Sequence, residues 1–265
     1  MSNGESDTSE LIQPDIPGSS TTSSPGETST SLESFEEAFQ ERLLSIKNHT
    51  ERRTFVGLAR SLGGLPVDVA RVALEVSATI AGVSLRASIE FLKAAPDASK
   101  LLEPTEIKAW GEMGRRLAMS DVETAVGFFA AGVDQLASIP KEARPLIFQI
   151  CSRQVTLSSS VSRETFDAIP QLAGAVPDPE ILKSILEVAL EIARRSARHS
   201  ADFLGATKEV SRVWRNAGEE RGSLLAKASV DLASNFAMRA GGIASDAWIA
   251  LPAALRALTI SEALK

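Results

Sequence analysis

The chain has no tyrosine, one cysteine (Cys151) and two histidines (His49 and His199), and aromatic residues fill only 5% of its 265 positions. Each shortage removes a class of protein. A lone cysteine excludes an intrachain disulfide framework, and one cysteine with two histidines cannot furnish an all-Cys/His zinc site. Scarce aromatics argue against a β-sandwich or barrel, whose strands favour aromatic and β-branched side chains. No Gly-Lys pair occurs, so the phosphate loop Gly-x4-Gly-Lys-Ser/Thr is missing, as are Gly-x-Ser-x-Gly and His-Glu-x-x-His. Beyond the N-terminal segment, charge-free runs stop near ten residues, as in 168–177, well short of the ~20 that a membrane-spanning helix needs. The first ten residues, MSNGESDTSE, carry acids where a secretory signal needs a basic and then an apolar region. The expectation is a soluble, cytoplasmic protein.

What is present favours helices. Apolar residues make up 44% of the sequence, as in folded domains, and 28 Lys+Arg stand against 34 Asp+Glu for a net charge of −6. That charge is unevenly spread. Residues 1–41 hold nine acids and no Lys or Arg, so residues 42–265 carry a net +3. Residues 1–32 are rich in Ser, Thr, Pro, Gly and acids, with almost nothing apolar to bury, and read as a disordered tail. Residues 33–265 read as one helical-repeat domain. Ser34-Phe-Glu-Glu opens the first helix with a capping signal. Thereafter Pro or Gly clusters punctuate the apolar periodicity at 63–66, 95–97, 103–105, 139–140, 144–145, 176–179 and 217–218.

The punctuation is periodic. Laid at an offset of 37, Val72–Leu102 over Ala109–Ile139 matches Ala73 with Trp110, Val76 with Met113, Ile80 with Leu117 and Phe91 with Phe128. Continuing the register gives five units with anchors at Phe91, Phe128, Phe166, Phe203 and Ile243. A break in every half unit makes each unit a pair of antiparallel helices, and such pairs bury their faces only by stacking. The predicted fold is therefore all-α: an α-solenoid of about five HEAT-like helix pairs with a period of 37–40. Residues 33–65 and 245–265 are expected as atypical caps, and the alternative is a non-repeating helical bundle.

The segments Ala109-Trp-Gly-Glu-Met-Gly-Arg-Arg-Leu-Ala, Thr124-Ala-Val-Gly-Phe-Phe and 187–203 (EVALEIARRSARHSADF) resemble the helical region that precedes the von Willebrand A domain in NorD-like bacterial proteins of the nitric-oxide-reductase activation type. The resemblance covers about 72–258 and transfers no catalytic residue. It implies partnership with an AAA+ ATPase that assists metalloenzyme activation. The Asp-x-Ser-x-Ser loop of the A domain is absent; Asp97-Ala-Ser-Lys-Leu and Asp231-Leu-Ala-Ser-Asn both lack the second serine.

Candidate functional residues follow from charge and aromatic placement. Between 194 and 227 lie eight basic residues and four acids. Within that stretch Trp214 sits between Arg212 and Arg215, outside the repeat register, and aromatics beside arginines are typical of binding hot spots. Arg194, Arg195, Arg198, Arg212, Trp214 and Arg215 are the candidate partner-binding residues, with Trp248 in the apolar C-terminal segment. His199 follows three arginines, but an exposed polar face is the simpler reading; Cys151 falls in the core register as a buried, inert thiol. Gly111, Gly114, Gly127 and Gly132 read as small residues at helix crossings. No catalytic, cofactor or metal site can be assembled. The expected function is a non-enzymatic scaffold or adaptor binding a protein partner. The alternatives are a nucleic-acid or polyanion binder using 194–227, and peripheral lipid binding through the C-terminal apolar helices.

Overall fold

The computed structural model describes residues 49–263, and among these residues there are eleven α-helices and no strand. The tail 1–32 and the helix expected from Ser34 lie outside the described residues. The helices are α1 (His49–Ser61), α2 (Val67–Ala81), α3 (Leu85–Ala98), α4 (Pro104–Ser120), α5 (Val122–Ala137), α6 (Arg144–Val155), α7 (Ser159–Ala175), α8 (Pro179–Ala193), α9 (Ala197–Asn216), α10 (Glu219–Arg239) and α11 (Gly241–Ala263). Single 3-10 turns occupy Leu62–Gly64 and Lys141–Ala143.

Five antiparallel pairs, α2/α3 through α10/α11, stack in two layers. Even-numbered helices pack in series, α2 on α4 on α6 on α8 on α10, and odd-numbered ones do the same from α1 to α11. The five-pair solenoid expected from the periodicity is thus the observed architecture. Helix α1 packs on α3 and covers it with Phe55, which is fully buried.

Local chemistry explains the hairpins. Within the first four pairs the second helix starts on a polar N-cap whose side chain accepts from a backbone N–H: Ser84, Asp121, Ser158 and Ser196, at intervals of 37, 37 and 38 residues. In the first, third and fourth pairs a buried serine four residues on reaches back towards the C-terminal end of the first helix. Ser88 Oγ donates to Ser77 O (2.7 Å), Ser162 Oγ to Cys151 O (2.8 Å) and Ser200 Oγ to Ala189 O (2.9 Å). Each bond adds a second hydrogen bond to a carbonyl near a helix C-terminus and ties the two helices of the hairpin together. Between pairs, proline sits in the first turn of α4, α6 and α8, where its missing N–H is no loss.

Three sequence expectations need correction. Pro96 does not end its helix; α3 runs on to Ala98, because near the last turn a proline removes only one intrahelical bond. Ile243 is not the fifth anchor: it is 56% exposed, and Trp248, at 2%, takes the position of Phe203. The serine register shows why, since Ser200 and the buried Ser245 are 45 residues apart; α9, α10 and α11 are lengthened to 20, 21 and 23 residues. Finally, 245–265 is no separate cap, because α11 is the second helix of the fifth pair.

The core is contiguous and carries two aromatic groups. Phe91, Trp110, Phe128, Phe129 and Phe166 join α3, α4, α5 and α7, with ring centroids 4.8–6.2 Å apart. Glycines let the helices approach there: a Cβ on Gly111 would meet Val76 Cγ1 at 2.0 Å, and one on Gly114 would meet Phe129 Cζ at 1.9 Å. Gly132 faces the Trp110 ring in the same way. Phe203, Trp214 and Trp248 form the second group, between α9 and α11.

Candidate functional site

Helix α9 carries most of the residues singled out in the sequence, and the stack distributes them among different tasks. Its N-terminal end leads from the α8/α9 turn, where Arg195 donates to the carbonyls of Met238 (3.0 Å) and Arg239 (3.1 Å). Arg195 is therefore a cap on the C-terminus of α10, where backbone oxygens concentrate negative charge. Arg194 pairs with Glu191, Arg198 with Asp202 at 3.0 Å and Glu164 at 3.9 Å, and Arg212 with Glu209 at 3.5 Å. The basic cluster is largely answered by local acids. Lys208, Arg215 and Lys227 are exposed and have no ion pair among the described residues. His199 is exposed as expected, with its ring against Gly242.

Both tryptophans proposed from the sequence as surface anchors are core residues. Trp214 is 5% exposed and Trp248 2%; their rings meet edge to face with centroids 5.8 Å apart, and Trp248 stacks 4.7 Å from Phe203. Trp248 Nε1 donates to Thr207 Oγ1 at 3.0 Å. The reason is the lengthening of α9 and α11, which brings both indoles into the space between layers. Trp248 is thereby withdrawn from any surface. Trp214 differs in one respect: its buried Nε1 has no partner.

Two recesses flank α9. At its C-terminal end a cavity of about 470 Å³ opens where the α7–α8 and α9–α10 connections meet. Val176, Ile181, Trp214 and Ala226 form its apolar wall, and Asp178, Arg215 and Glu219 stand around it. The geometry follows from the turns. Asp178 caps α8 by accepting from Glu180 N (3.0 Å) and Ile181 N (3.2 Å). Gly218, at φ 86°, reverses the chain into α10, a conformation that disfavours any side chain. Gly222 lies so close to Trp214 O that a Cβ would be 2.4 Å from it, so the wall behind the indole is backbone against backbone. The second recess, about 260 Å³, is a groove between α7 and α9. Its floor is Ala168, Ile169, Leu172, Ala201 and Gly205, and its rim holds Glu164, Arg198 and Lys208. Between α5 and α7 the corresponding approach is bridged by Gln135 Nε2 donating to Asp167 (2.6 Å).

Chemically, the recesses can bind apolar side chains flanked by charges of either sign. The titratable groups pushed from their ordinary values lie elsewhere. Arg115 beside Glu112 holds that carboxyl low and is itself raised; bonds from Thr124 lower Asp121; Glu103 raises Lys141; burial pushes the Cys151 thiol up to about 12. None of these lines either recess. Cys151 is fully buried, in agreement with the inert thiol expected from its register. No group of three or more His, Cys, Asp or Glu that could hold a metal occurs among the described residues, and no helix among them is long and apolar enough to cross a membrane.

Sequence reasoning located Trp214 and Arg215 but missed the cavity they border. The signal available was the pair of turn signatures, Val176-Pro177-Asp178-Pro179 and Ala217-Gly218, which the repeat brings to one edge of the stack. The N-cap ladder at 84, 121, 158 and 196 was equally readable as a repeat. No family model, curated protein or solved structure matches the chain.

Proposed function

We propose that the chain is a scaffold or adaptor that binds a protein partner at the loop-end cavity beside Trp214. The single observation that carries this reading is the cavity itself: an apolar wall on a rigid two-layer stack, with an unpaired cation, Arg215, and two acids around it. A partner segment presenting one apolar side chain between polar neighbours matches that lining, since buried apolar anchors with a polar rim dominate protein recognition. The stack offers rigid backbone around the recess, so binding costs little ordering of the scaffold. The resemblance to NorD-like helical regions makes an AAA+ ATPase the first partner to assay. A cytoplasmic location and a non-enzymatic role are part of the same proposal.

The test uses two exposed positions. Arg215→Glu reverses the unpaired charge, and Ser223→Trp places a bulky ring at the cavity mouth; neither side chain is buried in the core. Each is expected to weaken partner binding at least about tenfold by calorimetry or interferometry, while the far-UV spectrum stays unchanged. Asp68→Arg, at the far end of the stack on α2, is expected to leave binding intact. Equal binding by all four proteins would refute the placement.

A further inference from the structure

The two ends of the stack differ in chemistry. At the α2 end the outward face carries Asp68, Arg71, Glu75 and Thr79, with Arg71 paired to Asp68 at 3.1 Å. At the α10 end the outward face mixes exposed apolar side chains, Leu224, Ala228, Leu232 and Met238, with charged and polar ones such as Lys227, Asp231 and Asn235. Among the described residues, five of the eight exposed large apolar side chains (Leu224, Leu232, Met238, Ile243 and Ile249) belong to the last helix pair. The buried face of α10 is set by Gly222, Ala226, Ser229, Val230, Ala233 and Ala237, which packs against α8 and the α9/α11 layer. At 100° per residue, Leu224, Ala228, Asp231 and Asn235 point directly away from it, with Leu232 on one flank and Lys227 and Met238 on the other. In every earlier even-numbered helix this outward face is covered by the next one in series.

We infer that this face docks a second copy of the chain, with α10 packed antiparallel on α10 of the partner about a two-fold axis. Three observations select that occupant. The first is charge: Lys227 and Asp231 are both exposed and have no ion pair among the described residues, and they lie four residues apart on the same side of the outward face, Lys227 at its flank and Asp231 nearer its centre. An antiparallel two-fold centred near residue 229 sets Lys227 of one copy against Asp231 of the other, twice, while Leu224 meets the region of Asn235 and Ala228 leaves room at the axis. The second is the mismatch at the far end: head-to-tail stacking would set Leu224 and Leu232 against Asp68, Arg71 and Glu75, so a closed pair is favoured over a growing filament. The third is size. The 21 residues of α10 span about 30 Å, and with α11 beside it the end presents roughly 600 Å² in projection, close to the ~800 Å² per partner of a standard stable interface.

Sedimentation velocity of the full chain over a wide concentration range tests this. The expected species has twice the 28.1 kDa chain mass. Leu224→Glu with Leu232→Glu is expected to give monomer at the same concentrations with unchanged helicity, since both side chains are exposed. Lys227→Asp alone is expected to raise the dimer dissociation constant about tenfold by setting two acids together, and Lys227→Asp with Asp231→Lys to restore it to within a few-fold of wild type. A monomeric wild type overturns the inference, as does a dimer insensitive to the leucine substitutions. Failure of the charge swap to restore association overturns the antiparallel register. Arg215 lies on α9, in the fourth pair and off the α10 face, so Arg215→Glu is expected to dimerise normally, and loss of partner binding and loss of dimer read separately through that variant.

Discussion

Replacing glycine by alanine inside a helix ordinarily stabilises it by up to about 1 kcal/mol, through the lower entropy of the unfolded chain. The stack makes opposite predictions at two such positions. Gly205, in mid α9, has nothing within 4 Å of an added Cβ, so Gly205→Ala is expected to stabilise by roughly 0.5–1 kcal/mol. Gly114, in mid α4, faces Phe129: the new methyl would sit 1.9 Å from Cζ and 2.6 Å from Cε1 and Cε2. A carbon–carbon contact needs about 3.5 Å, so the ring must retreat about 1.5 Å. Three other rings pack against it. Phe129 is fully buried, with Trp110 edge-on at 5.2 Å, Phe128 at 5.3 Å and Phe91 at 5.4 Å. Overpacking of this kind costs about 3 kcal/mol, which exceeds the helical gain and leaves a net loss of roughly 2 kcal/mol. Urea unfolding followed by circular dichroism at 222 nm and by tryptophan fluorescence gives both values, and comparing the two probes shows whether the repeats unfold together. The double variant Gly114→Ala with Phe129→Leu is expected to lose less than the sum of its single changes, because the smaller side chain vacates the clash. A stabilising Gly114→Ala, or equal effects at both glycines, would refute the packing of α4 against α5.

Other consequences are simpler to check. Native protein is expected to leave Cys151 unlabelled by a thiol reagent at neutral pH, because the thiol is buried and titrates near 12; the label should enter only at the rate of unfolding, and rapid native labelling would contradict that burial. Ser200→Ala is expected to destabilise by about 1 kcal/mol in urea titrations, since it removes the buried hydrogen bond to the Ala189 carbonyl; no change would mean that the hairpin tie contributes nothing. Asp121 bears a lowered carboxyl, so its stabilising contribution is complete above the ordinary value of 3.8 and is lost as pH falls from there through its depressed folded value. The stability difference between wild type and Asp121→Asn should therefore be constant near neutrality and shrink only in strong acid; a gap that widens on acidification would reverse the assigned sign.

How much of this was readable from sequence depended on the length scale. Repeat period, pair count and the core placement of Trp110 and Cys151 were legible, because stacking imposes an apolar register that survives divergence in side-chain identity. The fifth unit was misregistered because α9, α10 and α11 each gain residues, and an offset of 40 then falls on the exposed Ile243 instead of Trp248. Trp214 looked exposed for a related reason. Its arginine neighbours do face solvent, but adjacent helical residues differ by 100° in direction, so the company of charged residues says nothing about the indole between them. Arg195 read as one of a basic cluster, whereas its role is to cap α10; that requires knowing which helix ends beside it, which only the tertiary arrangement supplies. The cavity was invisible for the same cause, being built from two turns about 40 residues apart.

The proposed function rests on a partner sitting in that cavity. A photoreactive amino acid placed at Ser223, on the cavity mouth, and separately at Asp68, on the opposite end of the stack, reads this directly in the native chain. A discrete protein adduct is expected from Ser223, lost when Arg215→Glu is combined with it, and none is expected from Asp68. The same adduct from both positions, or from neither, would contradict the proposed function.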